Sequence, residues 1–521
     1  VLPERPRYRD LWEAAPALSA AQLRFERARR TWGLFLGPAL FVLLLAFPPA
    51  AIPRGDAARL LAVAAWTLTW WITEAVPIPV TSLLAPSLAV LCGVGSPKEL
   101  FAPFGEPIIL LFLGSFLLAE AMLASGLDRR IAHAILSHHW VGSSATRLLL
   151  AFVASTAGLS MWLSNTATAA MMFPLGLAVL TALSRLLAEK NGAPVDLTRL
   201  RFGTALMLAI AYAASIGGTA TPVGTPPNLI VLSSLESLTG VKISFFTWMV
   251  LTAPVTLAML AVLVIYLRLA LPPELAEIAG SRQLLAAERA ALGRWRPAER
   301  NTLIAFLLAV TLWVTPGAAA LLLGPSSGAA STLGALFPEA VVAVLAASLL
   351  FVLPVDWPAR RFTLSWSNAA RIDWGTLLLF GGGLSLGGAM LQTGLAKVLG
   401  TFLVEATGAR SLTALTFLFG ITAIFLTETT SNTAAAAMLA PIAIASAQAA
   451  GVSPVPPAVA IALGCSMAFM LPVATPPNAI VYGSGGVPIR AMVVHGLVLN
   501  LCSAALIPAG AVLLCRLLAL S

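Results

Sequence analysis

Two apolar runs, 148–184 and 411–448, each extend for about 37 residues, well beyond the roughly 17–25 that one membrane-spanning helix needs. Each carries the same polar phrase near its middle, Ser164-Asn165-Thr166-Ala167 in the first and Ser431-Asn432-Thr433-Ala434 in the second. Neither run offers a loop that could reach water. A helical hairpin satisfies both facts: two half-helices enter and leave on one side, with the tip enclosed. Non-helical backbone at membrane depth is tolerated only where protein surrounds it.

Composition points to the same solvent. Of 521 residues, 59% are hydrophobic and only 10% charged, against about 25% charged in soluble domains. The chain therefore reads as one polytopic all-α membrane protein. A transmembrane β-barrel would show alternating strands of about ten residues, and the sequence has none. The net charge of +9 is read as basic cytoplasmic loops rather than as a nucleic-acid surface, so no nucleic-acid partner is expected. Cys92, Cys465, Cys502 and Cys515 stand singly in apolar segments, which excludes a disulfide framework or a paired-cysteine metal site. The first apolar run begins near Thr31 after the basic segment Arg24 to Arg30. It is too long for a signal-peptide core and reads as a retained helix.

The polar phrases belong to a larger duplication. Each is followed by a second one, Pro222-Val223-Gly224-Thr225-Pro226-Pro227-Asn228 and Pro472-Val473-Ala474-Thr475-Pro476-Pro477-Asn478. Upstream, Leu111 to Phe116 and Ala121 to Leu127 match Leu379 to Leu384 and Ala389 to Leu395. Met122 to Met390 is 268 positions, and Asn165 to Asn432 is 267. A polar divider, Arg268 to Arg300, and an odd number of spans per copy predict an inverted second repeat. The basic residues Arg5, Arg7, Arg9, Arg24 to Arg30, Arg129, Arg130, Arg185, Lys190, Arg199, Arg201, the divider, Arg360, Arg361 and Arg371 fall on one side if the hairpins do not cross. That side is cytoplasmic by the positive-inside rule. The expected organisation is a cytoplasmic segment over 1–30, a first transmembrane helix over 31–56, and a first repeat over 57–270 with an inward-opening hairpin. A cytoplasmic connector over 271–300 and an inverted repeat over 301–521 with an outward-opening hairpin follow. This makes about 11 crossings, with the N-terminus cytoplasmic and the C-terminus outside.

Asn and Thr in hydrocarbon are costly unless hydrogen-bonded, so these phrases face one another or a ligand. The pairs Pro226-Pro227 and Pro476-Pro477 remove backbone donors and break a long helix. A break leaves free carbonyls at one end and free N–H groups at the other. Carbonyl, Ser and Asn oxygens suit a hard cation such as Na⁺, and helix N-termini suit an anion. The alternative is that these side chains only join helices by hydrogen bonds. Residues 148–184, 203–235 and 456–489 carry no charge, and 411–448 carries only Glu428. A bound anion would then rely on mobile cations for its charge balance. Glu428 and Glu74 are read as braces for broken helix ends, with a proton relay as the alternative.

At these residues the chain resembles the divalent anion/sodium symporters, which include the di- and tricarboxylate transporters. The carriers of the resemblance are Cys465-Ser466-Met467-Ala468-Phe469-Met470-Leu471 running into the second Pro-Pro phrase as far as Val481, and Trp71-Ile72-Thr73-Glu74-Ala75-Val76-Pro77. The resemblance covers the chain from about residue 31 to the end. It implies a homodimer in the lipid bilayer of the inner (plasma) membrane, each protomer with a scaffold and a transport domain that moves like an elevator. It also implies one Na⁺ site at Ser160, Ser164, Asn165 and Gly224, and a second at Thr427, Thr430, Asn432 and Ala474. Substrate carboxylates would meet Asn165, Thr166, Thr225, Ser431, Asn432, Thr433, Thr475 and Pro476. At Thr430 the family contributes a backbone carbonyl. The expected function is Na⁺-coupled import of C4-dicarboxylates or related di- and tricarboxylates, with Na⁺ as co-transported ion and no organic cofactor. A sodium-independent dicarboxylate exchanger or a sulfate transporter on the same fold is the alternative. An intramembrane enzyme is disfavoured: no HExxH, Ser-Lys or Asp-Asp pair occupies the spans, His133, His138 and His139 gather at a helix end, and His495 stands alone. The P-loop phrase of ATP hydrolysis is also missing.

Overall fold

The computed structural model describes residues 20–191, 200–324, 327–483 and 485–520. Arg5, Arg7, Arg9 and Arg199 of the charge pattern, with the first 19 residues of the N-terminal segment, lie outside them.

Helix dominates, as an apolar solvent requires of a backbone that must satisfy itself. The first half runs α1 (Ala20–Ala46), α2 (Asp56–Thr73), α3 (Ile78–Leu91), the short α4 (Pro97–Phe101), α5 (Pro107–Ser125), α6 (Leu127–Leu136), α7 (Ala145–Ser160), α8 (Asn165–Asn191), α9 (Arg201–Gly217), α10 (Pro226–Thr239) and α11 (Phe245–Ala270). The divider holds α12 (Ser281–Ala291). The second half runs α13 (Pro297–Leu323), α14 (Gly328–Leu336), α15 (Glu339–Val352), the short α16 (Trp366–Ala369), α17 (Trp374–Gln392), α18 (Leu395–Thr407), α19 (Leu412–Leu426), α20 (Asn432–Ala449), α21 (Val455–Gly464), α22 (Pro476–Gly483) and α23 (Ile489–Leu517). A small antiparallel ribbon, β1 (Pro354–Asp356) and β2 (Arg361–Phe362), precedes α16.

Among the described residues, eight helices are long and apolar enough to cross a membrane alone, and two bent pairs raise the number to at most ten. The sequence reading of about 11 is higher because several crossings are assembled from short pieces. Val455–Gly464, for example, is too short to span by itself. The first helix also differs in its bounds. Within the described residues it runs from Ala20, since nothing in the basic segment 24–30 breaks a helix, and it ends at Ala46 before the Pro48-Pro49 pair.

Both long apolar runs fold as helix–break–helix, α7–α8 and α19–α20, with the breaks at the Ser-Asn-Thr phrases and each pair of limbs in contact. Both Pro-Pro phrases interrupt a helix, between α9 and α10 and between α21 and α22. The repeats then exchange partners. Within each copy the first limb packs on the first half of its own broken helix, α7 on α9 and α19 on α21. The second limbs cross over, α8 onto α22 and α20 onto α10. The outer helices do the same, α5 against α15 and α3 against α17. Here matching glycines let backbones touch: a Cβ at Gly114 would stand 2.5 Å from the carbonyl carbon of Ala343, and one at Gly382 would overlap the carbonyl of Ser82. The two glycines are 268 positions apart, the offset already read from the motifs.

Candidate functional site

The first break gathers oxygen atoms. Ser160, the buried last residue of α7, places Oγ 2.8 Å from Asn165 Oδ1 and 2.7 Å from the carbonyl oxygen of Ala214 in α9. Asn165 opens α8. Gly218 and Gly224 line the same space: a Cβ on Gly218 would stand 2.5 Å from Asn165 Oδ1 and 3.1 Å from the Gly224 oxygen, and one on Gly224 would meet the carbonyl oxygens of Gly218 and Met161. The backbone of the break is held by Thr221, which donates to Met161 O and accepts from the Gly224 N–H at 3.1 Å.

The second break repeats this arrangement. Thr427 takes the place of Ser160 and contacts Asn432 Oδ1 and the carbonyl oxygen of Cys465, the latter at 2.9 Å. In each cluster a hydroxyl, a carboxamide oxygen and a main-chain carbonyl share a single proton, because a hydroxyl donates only once. The oxygens left facing one another fit a small hard cation, as unwound carbonyls do in secondary transporters.

The breaks are braced identically. Asn228 Nδ2 donates to Gly218 O at 3.0 Å and to Thr221 O at 2.7 Å. Asn478 Nδ2 donates to Ala468 O and Leu471 O, each at 3.0 Å. All three positions are offset by 250. In the second break only, the Glu428 carboxylate accepts from the backbone N–H groups of Phe469 (2.7 Å), Met470 (2.9 Å) and Leu471 (3.2 Å), and from Asn500 Nδ2 at 2.6 Å. It braces a broken helix end, as its sequence context predicts. Glu74 has left-handed backbone (φ 48°) where α2 stops, and it pairs with Arg29 and Arg30.

The remaining sequence-nominated residues divide by role. Ser164 is the exposed residue before α8; its Oγ accepts from Ala167 N at 3.3 Å. Ser431 precedes α20 at the N-cap position with no side-chain capping bond, and Thr166 and Thr433 are half-buried in the first turns of α8 and α20. Thr225 is buried at the start of α10. Thr475 accepts from Asn478 N at 3.3 Å, ahead of Pro476, the first residue of α22. Ala474 is half-buried in the second break. Thr430, in the break after α19, donates its hydroxyl to Leu426 O, the last residue of that helix. Sequence reasoning missed Gly218 and the carbonyls of Ala214 and Cys465, since a backbone acceptor has no residue-type signature. The paired Gly217-Gly218 was the available signal for the first. Asn500, a lone amide inside apolar α23, was a visible signal for the brace.

A substitution separates ligand contact from capping. Thr225→Val and Thr475→Val each delete one donor beside a helix N-terminus, and a hydrogen bond to a charged group is worth about 1.5–3 kcal/mol. Substrate affinity is expected to fall roughly 10- to 100-fold in both. Thr475→Val also removes a cap, so it alone is expected to lose about 1 kcal/mol of stability. Binding isotherms and thermal melts check this, and a melting shift with unchanged affinity would reduce both residues to structure.

Relatives of this chain give its family. A family model described as the sodium:sulfate symporter transmembrane region matches residues 28–520. A sodium-dependent dicarboxylate transporter, SdcS, of Staphylococcus saprophyticus is 38% identical over 474 residues, covering 90% of this chain and 88% of its own. Its namesake in Staphylococcus aureus is 37% identical over 478 residues, covering 91% and 89%. Among solved structures, the Alcanivorax borkumensis YdaH transporter aligns with a TM-score of 0.53 at 17% identity over 92% of this chain and 97% of its own. Neisseria gonorrhoeae MtrF, titled as illuminating a class of antimetabolite efflux pumps, aligns at 0.51 and 14% over 97% and 96%. Those two likenesses speak for the fold alone. The relatives are transporters and not enzymes, and with a family match spanning nearly its whole length, the chain belongs to the divalent anion/sodium symporter family, the sodium:sulfate symporters.

Proposed function

We propose that this protein imports C4-dicarboxylates, or related di- and tricarboxylates, by symport with Na⁺. The observation that carries the reading is the matched pair of oxygen clusters at Ser160–Asn165–Ala214 and Thr427–Asn432–Cys465, each adjoining a helix N-terminus that can face a carboxylate. The relatives' name, sodium-dependent dicarboxylate transporter, gives the same cation and anion classes. In this reading Ser160, Ser164, Asn165 and Gly224 hold one Na⁺, joined by the Gly218 and Ala214 carbonyls. Thr427, Asn432, Ala474 and the Thr430 carbonyl hold the other, joined by Cys465. Asn165, Thr166, Thr225, Ser431, Asn432, Thr433, Thr475 and Pro476 line the anion between the clusters.

The finer architecture is part of the proposal. The α7–α8 hairpin is re-entrant and opens inward, and α19–α20 opens outward. The repeats occupy 57–270 and 301–521, joined by the cytoplasmic connector 271–300. The N-terminus is cytoplasmic, the C-terminus is outside, and two protomers associate through scaffold domains while their transport domains move as elevators. The plasma membrane is the site of action.

Charge arithmetic sets the test. A dianion entering a negative interior works against about 4.6 kcal/mol at 100 mV, taking ~2.3 kcal/mol per charge. Two Na⁺ cancel this, and a third makes entry favourable by about 2.3 kcal/mol. Proteoliposomes holding the protein are expected to accumulate succinate under an inward Na⁺ gradient, faster when K⁺ with valinomycin makes the interior negative. Equal rates without Na⁺ in counter-loaded vesicles, insensitive to valinomycin, would replace the symporter with an exchanger. Competition by sulfate at comparable concentration would move the substrate class.

A further inference from the structure

Arg29 reaches a tip of the duplicated site from a distant helix. It lies in the first part of α1, is 16% exposed, and donates from Nη1 to the carbonyl oxygen of Thr429 at 2.9 Å. Thr429 belongs to the break between α19 and α20, two residues before Ser431. The same guanidinium reaches Ile72 O at the end of α2 (3.4 Å), Glu26 (2.9 Å) and Glu74 (3.6 Å). Arg30 adds a second contact to Glu74 at 3.5 Å. The α1–α2 corner thus grips the second tip through one arginine.

The charges decide what that grip does. Arg29, Arg30, Glu26 and Glu74 comprise two cations and two anions in mutual contact, so the group is neutral as a unit. It is poorly suited to attracting an anionic substrate from a distance. Its directed part is the hydrogen bond to Thr429, which is mechanical. Level matters as well. The apolar span of this helix is Glu26–Ala46, and its midpoint lies about 10 Å beyond Arg29 at 1.5 Å per residue. The tip is therefore held near the basic end of α1 and away from its middle. A site that serves both faces of a membrane must leave such a position once per cycle.

We propose that Arg29 is a positioning residue of the transport cycle: by holding the Thr429 carbonyl it keeps the second hairpin tip at the basic α1–α2 corner, and it must release that carbonyl before the site can face the opposite side. The proposal rests on the transporter reading above. Its prediction for populations follows from conformational selection, in which apparent affinity is the intrinsic affinity multiplied by the fraction of protein in the binding-competent arrangement.

The test uses the full-length protein in proteoliposomes. Half-buried Cys92 and Cys502 are replaced by Ser, leaving buried Cys465 and Cys515 in place. Arg29→Cys and Thr429→Cys are then bridged with a bifunctional methanethiosulfonate, because a direct disulfide would need Cβ atoms about 3.8 Å apart and the arginine's length must be replaced. Bridging is expected to abolish Na⁺-driven succinate uptake, and dithiothreitol to restore it. Separately, Arg29→Ala is expected to lower the half-saturating external Na⁺ by about tenfold by freeing the outward-facing population, with Arg29→Lys intermediate. Undiminished uptake in fully bridged protein overturns the proposal. So does an Arg29→Ala protein that differs only in yield. Counter-loaded exchange is measured in the same vesicles. Absence of Na⁺ coupling in the wild type would sink the symport reading, while the effect of the bridge on exchange would still report on Arg29.

Discussion

Asn165→Ala and Asn432→Ala are each expected to bring uptake to background while the protein remains folded. Each carboxamide oxygen belongs to a three-oxygen cluster, and each residue opens a helix, α8 or α20. In the proposed site each therefore serves cation and anion together. Losing two interactions with charged groups, at about 1.5–3 kcal/mol apiece, reduces occupancy roughly 10²- to 10⁴-fold. Stability changes little by comparison, because both side chains are half-buried and Ala is a better helix former than Asn. Uptake assays paired with size-exclusion profiles and melts check this. Near-normal transport by either variant would mean the two clusters do not share the load.

Glu428→Ala is expected to be the most destabilising single change in the site. Three backbone N–H groups and the Asn500 amide converge on that carboxylate. Each donor left buried without an acceptor costs about 1–3 kcal/mol, so a protein of ordinary marginal stability is expected to lose most of its folded yield. Glu428→Gln keeps one acceptor oxygen and is expected to fold, with lowered melting temperature and partial transport. Fluorescence-detected melts in detergent and uptake per folded molecule separate the two variants. A Gln variant with wild-type stability and no transport would favour a proton-relaying role over bracing.

Much of this site was legible before any coordinates. The duplicated Ser-Asn-Thr and Pro-Pro phrases located both breaks, because polar residues and paired prolines have few other uses inside an apolar run. Glu428 was identifiable as a brace for the same reason. Other features left no trace in residue type. The Ala214 and Cys465 carbonyls serve through backbone, and any residue could occupy those positions. Gly218 was marked only by its pairing with Gly217, a signal shared with other glycine pairs in the chain. Arg29 looked like an ordinary member of a basic flank, since its contact with Thr429 joins residues 400 positions apart. Which crossings would be assembled from half-helices was not legible either, because such a span carries the same hydropathy as a continuous one.

The exchange of partners between repeats has a consequence for biosynthesis. α10 waits for α20, and the two begin roughly 200 residues apart. At about 5–20 residues per second, the first broken helix spends some 10–40 s in the membrane before its neighbour has been synthesised. During that interval its polar break must be sheltered by water, lipid headgroups or the insertion machinery. Late, non-local pairing of this kind slows assembly. A slower ribosome or a stall between 240 and 430 would prolong the exposure of that break. Errors in making this protein are then expected to arise from the timing of its second half, even when every residue of the first is correct.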